Sequence, residues 1–98
     1  MTQETRLEFS ARARRDLNRA KSWLTQPGSG RKAHDRYVSI LRALLDLRHH
    51  PLRWAPAEHI GVRKLSVEGY VVLYQISGDG EVVTVLRVFA PYQDRASL

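Results

Sequence analysis

Basic residues interrupt the most apolar part of this 98-residue chain. The segment from Ile60 to Phe89 is rich in β-branched and aromatic residues, yet it contains Arg63, Lys64 and Arg87. A cation in such a segment must reach solvent, a paired acid or an anionic ligand, because burying an unpaired charge is costly. A small sheet that presents cations from its own strands is therefore a platform for an acidic partner.

The same segment predicts three consecutive strands, at about residues 62–67, 70–76 and 82–89. Glycine marks both turns, in Glu68-Gly69 and in Gly78-Asp79-Gly80. The second and third strands are apolar at most positions, so we expect both sheet faces to be covered at the centre, one of them by helices. The third strand is then not a solvated edge. Strand alternation places Arg63 and Lys64 on opposite faces.

The first half of the chain predicts a strand at 7–9 followed by two helices. Ser10 is a predicted N-cap for the first helix, whose apolar residues recur every three or four positions at Ala13, Leu17, Ala20 and Leu24. A break at 25–30 separates it from a second helix, predicted from about Arg31 to Arg48, with one apolar stripe of Ala33, Tyr37, Ile40, Leu41, Leu44 and Leu47. Together the helices form an antiparallel hairpin.

The outer face of the first helix is cationic and carries Arg12, Arg14, Arg15, Arg19 and Lys21. Arg15 and Arg19 repel each other one turn apart, which costs roughly 0.3 kcal/mol. Such a face is either simply solvated or kept basic for a partner. The net charge of +6 suits nucleic acid or an acidic protein segment.

Several site types are excluded or not expected. The chain has no cysteine, which rules out disulfides and thiolate metal sites. Its four histidines lack a metal-ligand spacing, and the glycines at 28 and 30 belong to the helix-hairpin turn rather than to a phosphate loop. We expect no metal or cofactor. With no apolar run long enough for a membrane span and no secretory leader, we expect a single cytoplasmic domain over residues 1–98.

Two spaced motifs cover much of the chain. Residues 9–17 match Leu/Phe-Ser-x-x-Ala-x-x-Asp-Leu, and residues 63–76 match Arg-x-Leu-x-Val-x-x-Tyr-x-x-Leu-Tyr-x-Ile. In this order and spacing the chain resembles the RelE/ParE superfamily of toxins from bacterial type II toxin-antitoxin systems. The resemblance implies an α+β fold with an N-terminal strand, an antiparallel helical hairpin, and a three-stranded antiparallel meander packed on the helices.

The resemblance also implies a growth-inhibiting toxin, neutralised by a cognate antitoxin in a hetero-oligomer. ParE-like members act on DNA gyrase; RelE-like members are ribosome-dependent mRNA endonucleases; a degenerate member would only bind its antitoxin. Val71 follows Tyr70 where the ribonucleases generally carry Arg, and residues 88–94 lack the His and both Arg of a Val-x-His-x-Arg-Arg-Asp signature. We therefore favour gyrase over the ribosome and mRNA.

RNA cleavage by a 2′-hydroxyl needs a proton acceptor, a proton donor and cations for the developing charge. The residues available for that alternative are Arg63, Arg87, Tyr92 and Arg95; arginine is a good electrostatic stabiliser but a poor base. Otherwise no residue is assigned a catalytic role. For binding to the target or antitoxin we predict Arg12, Arg15, Arg19, Arg63, Arg87, Tyr92, Gln93 and Arg95.

Those binding residues have structural alternatives. Arg63 could instead form an ion pair with Glu68, Glu81 or Asp94. Arg87 must reach either solvent or a paired acid. The segment with Tyr92 and Arg95 could cross the mouth of a sheet groove or remain a solvated tail.

Overall fold

The computed structural model describes residues 5–91 and 93, except for the Asp79 side chain. The elements are β1 (Arg6–Phe9), α1 (Ala11–Thr25), α2 (Gly30–Asp46), β2 (Val62–Val67), β3 (Tyr70–Ser77) and β4 (Val82–Phe89), with a single 3-10 turn at Gly78–Gly80. This α+β arrangement confirms the predicted fold. The α2 helix ends two residues earlier than predicted, and single turns continue through 47–49, as is common at helix ends.

The four strands form one sheet in the order β1-β4-β3-β2. The meander β2-β3-β4 is antiparallel, whereas β1 pairs in parallel with β4, with Arg6 opposite Val82 and Phe9 opposite Val85. A parallel pair needs a long crossover, which the two helices supply. β4 is thus internal along its first half, which confirms that the third predicted strand is not a solvated edge.

The main core lies between the helices and one face of the sheet. The helices contribute Ala13, Ala20, Leu24, Ile40 and Leu44, and Leu47 just after α2 joins them. The strands contribute Leu65, Tyr70, Val72, Tyr74, Val83, Val85 and Val88. A smaller cluster on the other face contains Val62, Val71, Leu73 and Phe89, with Ala57 and Leu86 against it. Both sheet faces are therefore covered at the centre, as the apolar strands indicated.

A β-bulge at Leu86 changes the alternation of β4. Tyr74 pairs with Val85 whereas Leu73 pairs with Arg87, so Leu86 is the extra residue. Before the bulge, Val83 and Val85 face the helices; after it, Val88 does. Without the bulge, strict alternation from Val85 would point Arg87 into the helix-covered core.

The segment between α2 and β2 covers the outer edge of β2. Lys64 N donates to the Ala55 carbonyl at 3.0 Å, Ala57 N donates to the Val62 carbonyl at 2.7 Å, and Pro56 forms an isolated bridge with Arg63. The Tyr74 hydroxyl donates to the Pro51 carbonyl at 2.6 Å, which ties the segment to β3. Trp54 is half-buried and packs against the main core. No helix among the described residues is long and apolar enough to cross a membrane.

Candidate functional site

Asp16 and Arg87 form an ion pair between α1 and β4. Arg87 Nε lies 2.7 Å from Asp16 Oδ2, and Arg87 Nη2 donates to Oδ1 at 3.3 Å. The Asp16 side chain is 7% exposed and the Arg87 side chain is 14% exposed. Of the two outcomes foreseen for Arg87, solvent or a paired acid, the structure has the paired acid.

The same carboxylate satisfies the backbone of β4 where β1 ends. β1 stops at Phe9 opposite Val85, so the β4 edge beyond has no strand partner. There Ser10 Oγ donates to the Leu86 carbonyl at 2.8 Å, and Val88 N donates to Asp16 Oδ2 at 2.9 Å. Ser10 also caps α1 by accepting from Ala13 N at 3.0 Å, as predicted. These two side chains thus provide hydrogen-bond partners for backbone groups on a strand edge that would otherwise be unpaired.

Asp16 is not among the residues predicted for the site. The available signal was its position on the apolar face of α1, three residues after Ala13 and four before Ala20, where an unpaired carboxylate would be costly. An acid at such a position predicts a buried cation or backbone N–H nearby. Its partner lies 71 residues away, so spacing alone does not identify it.

Arg87 also contacts the smaller core cluster. Its guanidinium carbon lies 4.5 Å from the centroid of the Phe89 ring, within the range of a cation–π interaction. Arg87 shares the face of its cross-strand partner Leu73, and Lys64 pairs with Leu73 from the other side. Lys64, Leu73 and Arg87 therefore form one row across the sheet, in which the Lys64 ammonium lies 3.5 Å from Glu58 Oε1.

Arg63 belongs to the opposite, helix-covered face. It pairs with the buried Tyr74, and its Nη1 donates to the Trp54 carbonyl at 2.6 Å. Among the described residues no ion pair joins Arg63 to Glu68 or Glu81; Glu68 lies instead 3.9 Å from Arg36. Asp94, Tyr92 and Arg95 lie outside the described residues.

A groove of about 420 Å³ opens between α1 and the end of β4, and we call it the α1–β4 groove. Its lining consists of Asp16, Arg19, Ala20, Trp23, Leu24, Arg36, Tyr70, Val88, Ala90, Pro91 and Gln93. Most of this surface is apolar, Trp23 is 66% exposed, and Arg19 and Arg36 supply positive charge. Two predicted binding residues, Arg19 and Gln93, therefore meet here.

The wall of the groove after β4 is a short turn. Ala90 N donates to Gln93 Oε1 at 2.6 Å, and Gln93 N donates to the Ala90 carbonyl at 3.2 Å. Burial raises the pKa of the Tyr70 hydroxyl on the floor of the groove, partly offset by the Arg36 charge. Tyr70 hence stays protonated at neutral pH. No group of metal-ligating side chains occurs in the part of the chain that the structure describes.

Residues 7–91 match the family model of the ParE toxin of the type II toxin-antitoxin system parDE. The chain belongs to the ParE toxin family. Comparison with curated proteins found no significant match.

Solved structures have the same fold at low sequence identity. A chain of the chromosomal ParDE system from P. aeruginosa is 20% identical, with a TM-score of 0.71 over 92% of this toxin and 99% of that chain. A chain of the RelBE2 toxin-antitoxin complex from Mycobacterium tuberculosis is 24% identical, with a TM-score of 0.65 over 89% and 98%. The isolated RelE toxin of E. coli is 18% identical, with a TM-score of 0.64 over 93% and 88%.

The family motif of this ParE-type toxin has a structural basis. Ser10 and Asp16, two of its fixed positions, seal the β4 edge, while Ala13 and Leu17 pack in or against the main core. Arg63, the first residue of the second motif, anchors the segment before β2 through the Trp54 carbonyl. Both motifs therefore hold elements together.

Proposed function

We propose that this ParE-family toxin inhibits growth by binding DNA gyrase, without catalysing a reaction itself. The observation that carries the proposal is the placement of the two sheet arginines. Arg63 and Arg87 lie on opposite faces, and each guanidinium donates to a neighbouring group, the Trp54 carbonyl and the Asp16 carboxylate. RNA cleavage needs cations that converge on one phosphate with an acid and a base. Two arginines on opposite faces do not meet that requirement together.

The second candidate function is ribosome-dependent mRNA cleavage. One observation favours it: Lys64 and Arg87 flank Leu73 on a single face, so two cations of different strands share a surface. Arg87 is paired with Asp16, however, and Lys64 with Glu58, so both charges are already partly neutralised. Under this alternative, Tyr92 and Arg95 would complete the set.

Induction of the toxin in cells separates the two functions. A gyrase inhibitor should induce the SOS response and alter plasmid supercoiling while mRNA stays intact. An endonuclease should cut mRNA on ribosomes, and Tyr92→Phe should then slow cleavage about 10²- to 10⁴-fold. For the gyrase inhibitor the same substitution should cost only about 0.5–1.5 kcal/mol of affinity.

We further propose that a small acidic antitoxin neutralises the toxin with a segment that wraps the helical hairpin, enters the α1–β4 groove and adds to the sheet. The groove combines apolar lining with Arg19 and Arg36, which suits a segment of alternating apolar and acidic side chains. The structurally similar RelBE2 chain from Mycobacterium tuberculosis belongs to a toxin-antitoxin complex, which supports an antitoxin as the partner here. We expect a neighbouring short open reading frame to encode it.

Co-expression with that reading frame tests the antitoxin. We expect growth to be restored and the two proteins to co-purify. Trp23→Ala should weaken the complex by about 2 kcal/mol, as expected of an exposed aromatic anchor that becomes buried. Leu52→Ala is the control, because Leu52 is 70% exposed and does not line the groove. A toxin that is harmless alone and binds no neighbouring product would contradict the proposal.

A further inference from the structure

The α1 helix presents a row of exposed arginines that continues beyond the α1–β4 groove. Arg12, Arg15 and Arg19 are spaced by three and four residues, so they lie on one flank of the helix. At 1.5 Å per residue the row is about 10 Å long. Arg19 lines the groove, whereas Arg12 and Arg15 do not.

The charges of Arg15 and Arg19 are not neutralised within α1 itself. The helix contains one acid, Asp16, which is buried and paired with Arg87. Within residues 5–91 and 93, Arg15 and Arg19 form no ion pair, so their mutual repulsion persists in the free toxin. A bound polyanion would relieve it.

The crest of α1 allows close approach by such a polyanion. Ala11, Asn18 and Ser22 are exposed, small and uncharged, and they lie between the arginine row and a second cationic flank at Arg14 and Lys21. Cations therefore border a low surface on both sides, a shape that suits an extended phosphate backbone.

We propose that this outer surface of α1 binds the phosphate backbone of duplex DNA. The toxin would thereby contact the DNA that is bound to gyrase, a step that rests on the proposed function. Guanidinium groups bind phosphate in a bidentate manner, and a duplex presents one charge per about 3.4 Å of helix axis on each strand, so its phosphates are dense enough for Arg15 and Arg19 each to contact one. An acidic protein segment is less suited here, because Arg12 and Arg15 lie outside the apolar lining that would bury its side chains.

Fluorescence anisotropy with a labelled 20-bp duplex of mixed sequence tests the proposal on the full chain. The test variant is Arg15→Gln with Arg19→Gln. Its matched control is Arg31→Gln with Arg42→Gln, two exposed arginines of α2 whose loss lowers the net charge equally. We expect the test variant to bind at least about tenfold more weakly at low salt, and its slope of log K against log salt to shrink by about two, since two phosphate contacts are lost. The control should retain the wild-type slope.

Three outcomes would overturn the proposal: no binding by the wild type, an equal loss in both variants, or Arg15/Arg19-dependent binding of polyglutamate in place of the duplex. A thermal melt of each variant verifies folding. Gyrase assays with the same proteins keep the two claims apart. Inhibition of gyrase by a toxin that binds no duplex refutes only the DNA surface, whereas duplex binding without any effect on gyrase refutes the proposed target.

Discussion

At the scale of single residues, Asp16 connects the helical layer to the sheet. Its carboxylate accepts hydrogen bonds from the Arg87 side chain and from the Val88 backbone, and it is almost fully buried. A buried carboxylate is tolerated only when its lone pairs are used and its charge is paired. Arg87, which by sequence could equally bind a partner, is thereby tied to the fold.

Arg87→Ala should lower the free energy of unfolding by about 3 kcal/mol, because it leaves Asp16 buried without its cation. Urea unfolding monitored by circular dichroism measures this loss. Arg14→Ala removes an exposed arginine of α1 and serves as the control, with an expected change within about 0.5 kcal/mol. In a double-mutant cycle with Asp16→Ala, the two losses should not be additive. A loss below about 1 kcal/mol for Arg87→Ala would contradict the structural role of Arg87 and would favour a binding role.

Tyr74 gives a second prediction at this scale. Burial raises the pKa of its hydroxyl, with the Arg63 charge and a backbone hydrogen bond at Trp54 offsetting part of the effect. Because the folded-state pKa exceeds the unfolded value of about 10, the stabilisation is complete below pH 10 and is lost as pH rises through the folded-state pKa. We expect wild-type stability to fall more steeply above about pH 10 than that of Tyr74→Phe. At pH 7 the variant should lose about 1 kcal/mol, since its hydrogen bond to Pro51 is gone. If the stability of the wild type and of Tyr74→Phe depended on pH in the same way, the Tyr74 hydroxyl would not contribute to the pH dependence.

At the scale of elements, local patterns predicted much of the fold. The Ser10 cap, both helices and the three meander strands follow from spacing and turn residues within a few positions. The parallel pairing of β1 with β4 and the Asp16–Arg87 pair join residues 71 or more positions apart, and the bulge at Leu86 breaks the regular alternation of β4. Local periodicity carries no information about such contacts, which explains why the placement of the sheet arginines required the structure.

The hairpin between β2 and β3 allows a test of turn chemistry. Glu68 and Gly69 have φ values of 53° and 80°, the backbone of a two-residue turn with both central residues left-handed. Glu68→Asn should stabilise the toxin by about 0.5–1 kcal/mol, because asparagine tolerates this conformation better. Its ion pair with Arg36 is exposed and contributes little. The midpoint of urea unfolding should rise with an unchanged slope.

Gly69→Ala is the opposing control for that turn. Besides the positive φ, an added Cβ would lie 3.2 Å from Pro91 Cγ, in the wall of the α1–β4 groove. We expect a loss of at least about 1 kcal/mol. If Glu68→Asn and Gly69→Ala shifted stability in the same direction, the turn geometry described here would be wrong.

At the scale of the whole molecule, cations border two candidate binding surfaces, whereas the arginines of the sheet are bonded within the fold. The cations of α1 border its outer surface, the α1–β4 groove brings exposed Trp23 together with Arg19 and Arg36, and the sheet arginines serve the fold. The sequence predicted the basic α1 face and proposed Arg19 and Gln93 as binding residues, whereas the groove that both residues line depends on elements that meet only in the folded chain. A binding protein needs such surfaces, and a nuclease needs a convergent catalytic set as well.

The most direct test of the central claim is an assay of purified toxin with gyrase, relaxed plasmid and ATP, run beside a ribosome-programmed mRNA cleavage assay. We predict that supercoiling is inhibited in proportion to toxin bound, with no cut in the mRNA, and that Arg63→Gln retains inhibition as long as the variant is folded. Cleaved mRNA together with unaffected supercoiling would contradict the account.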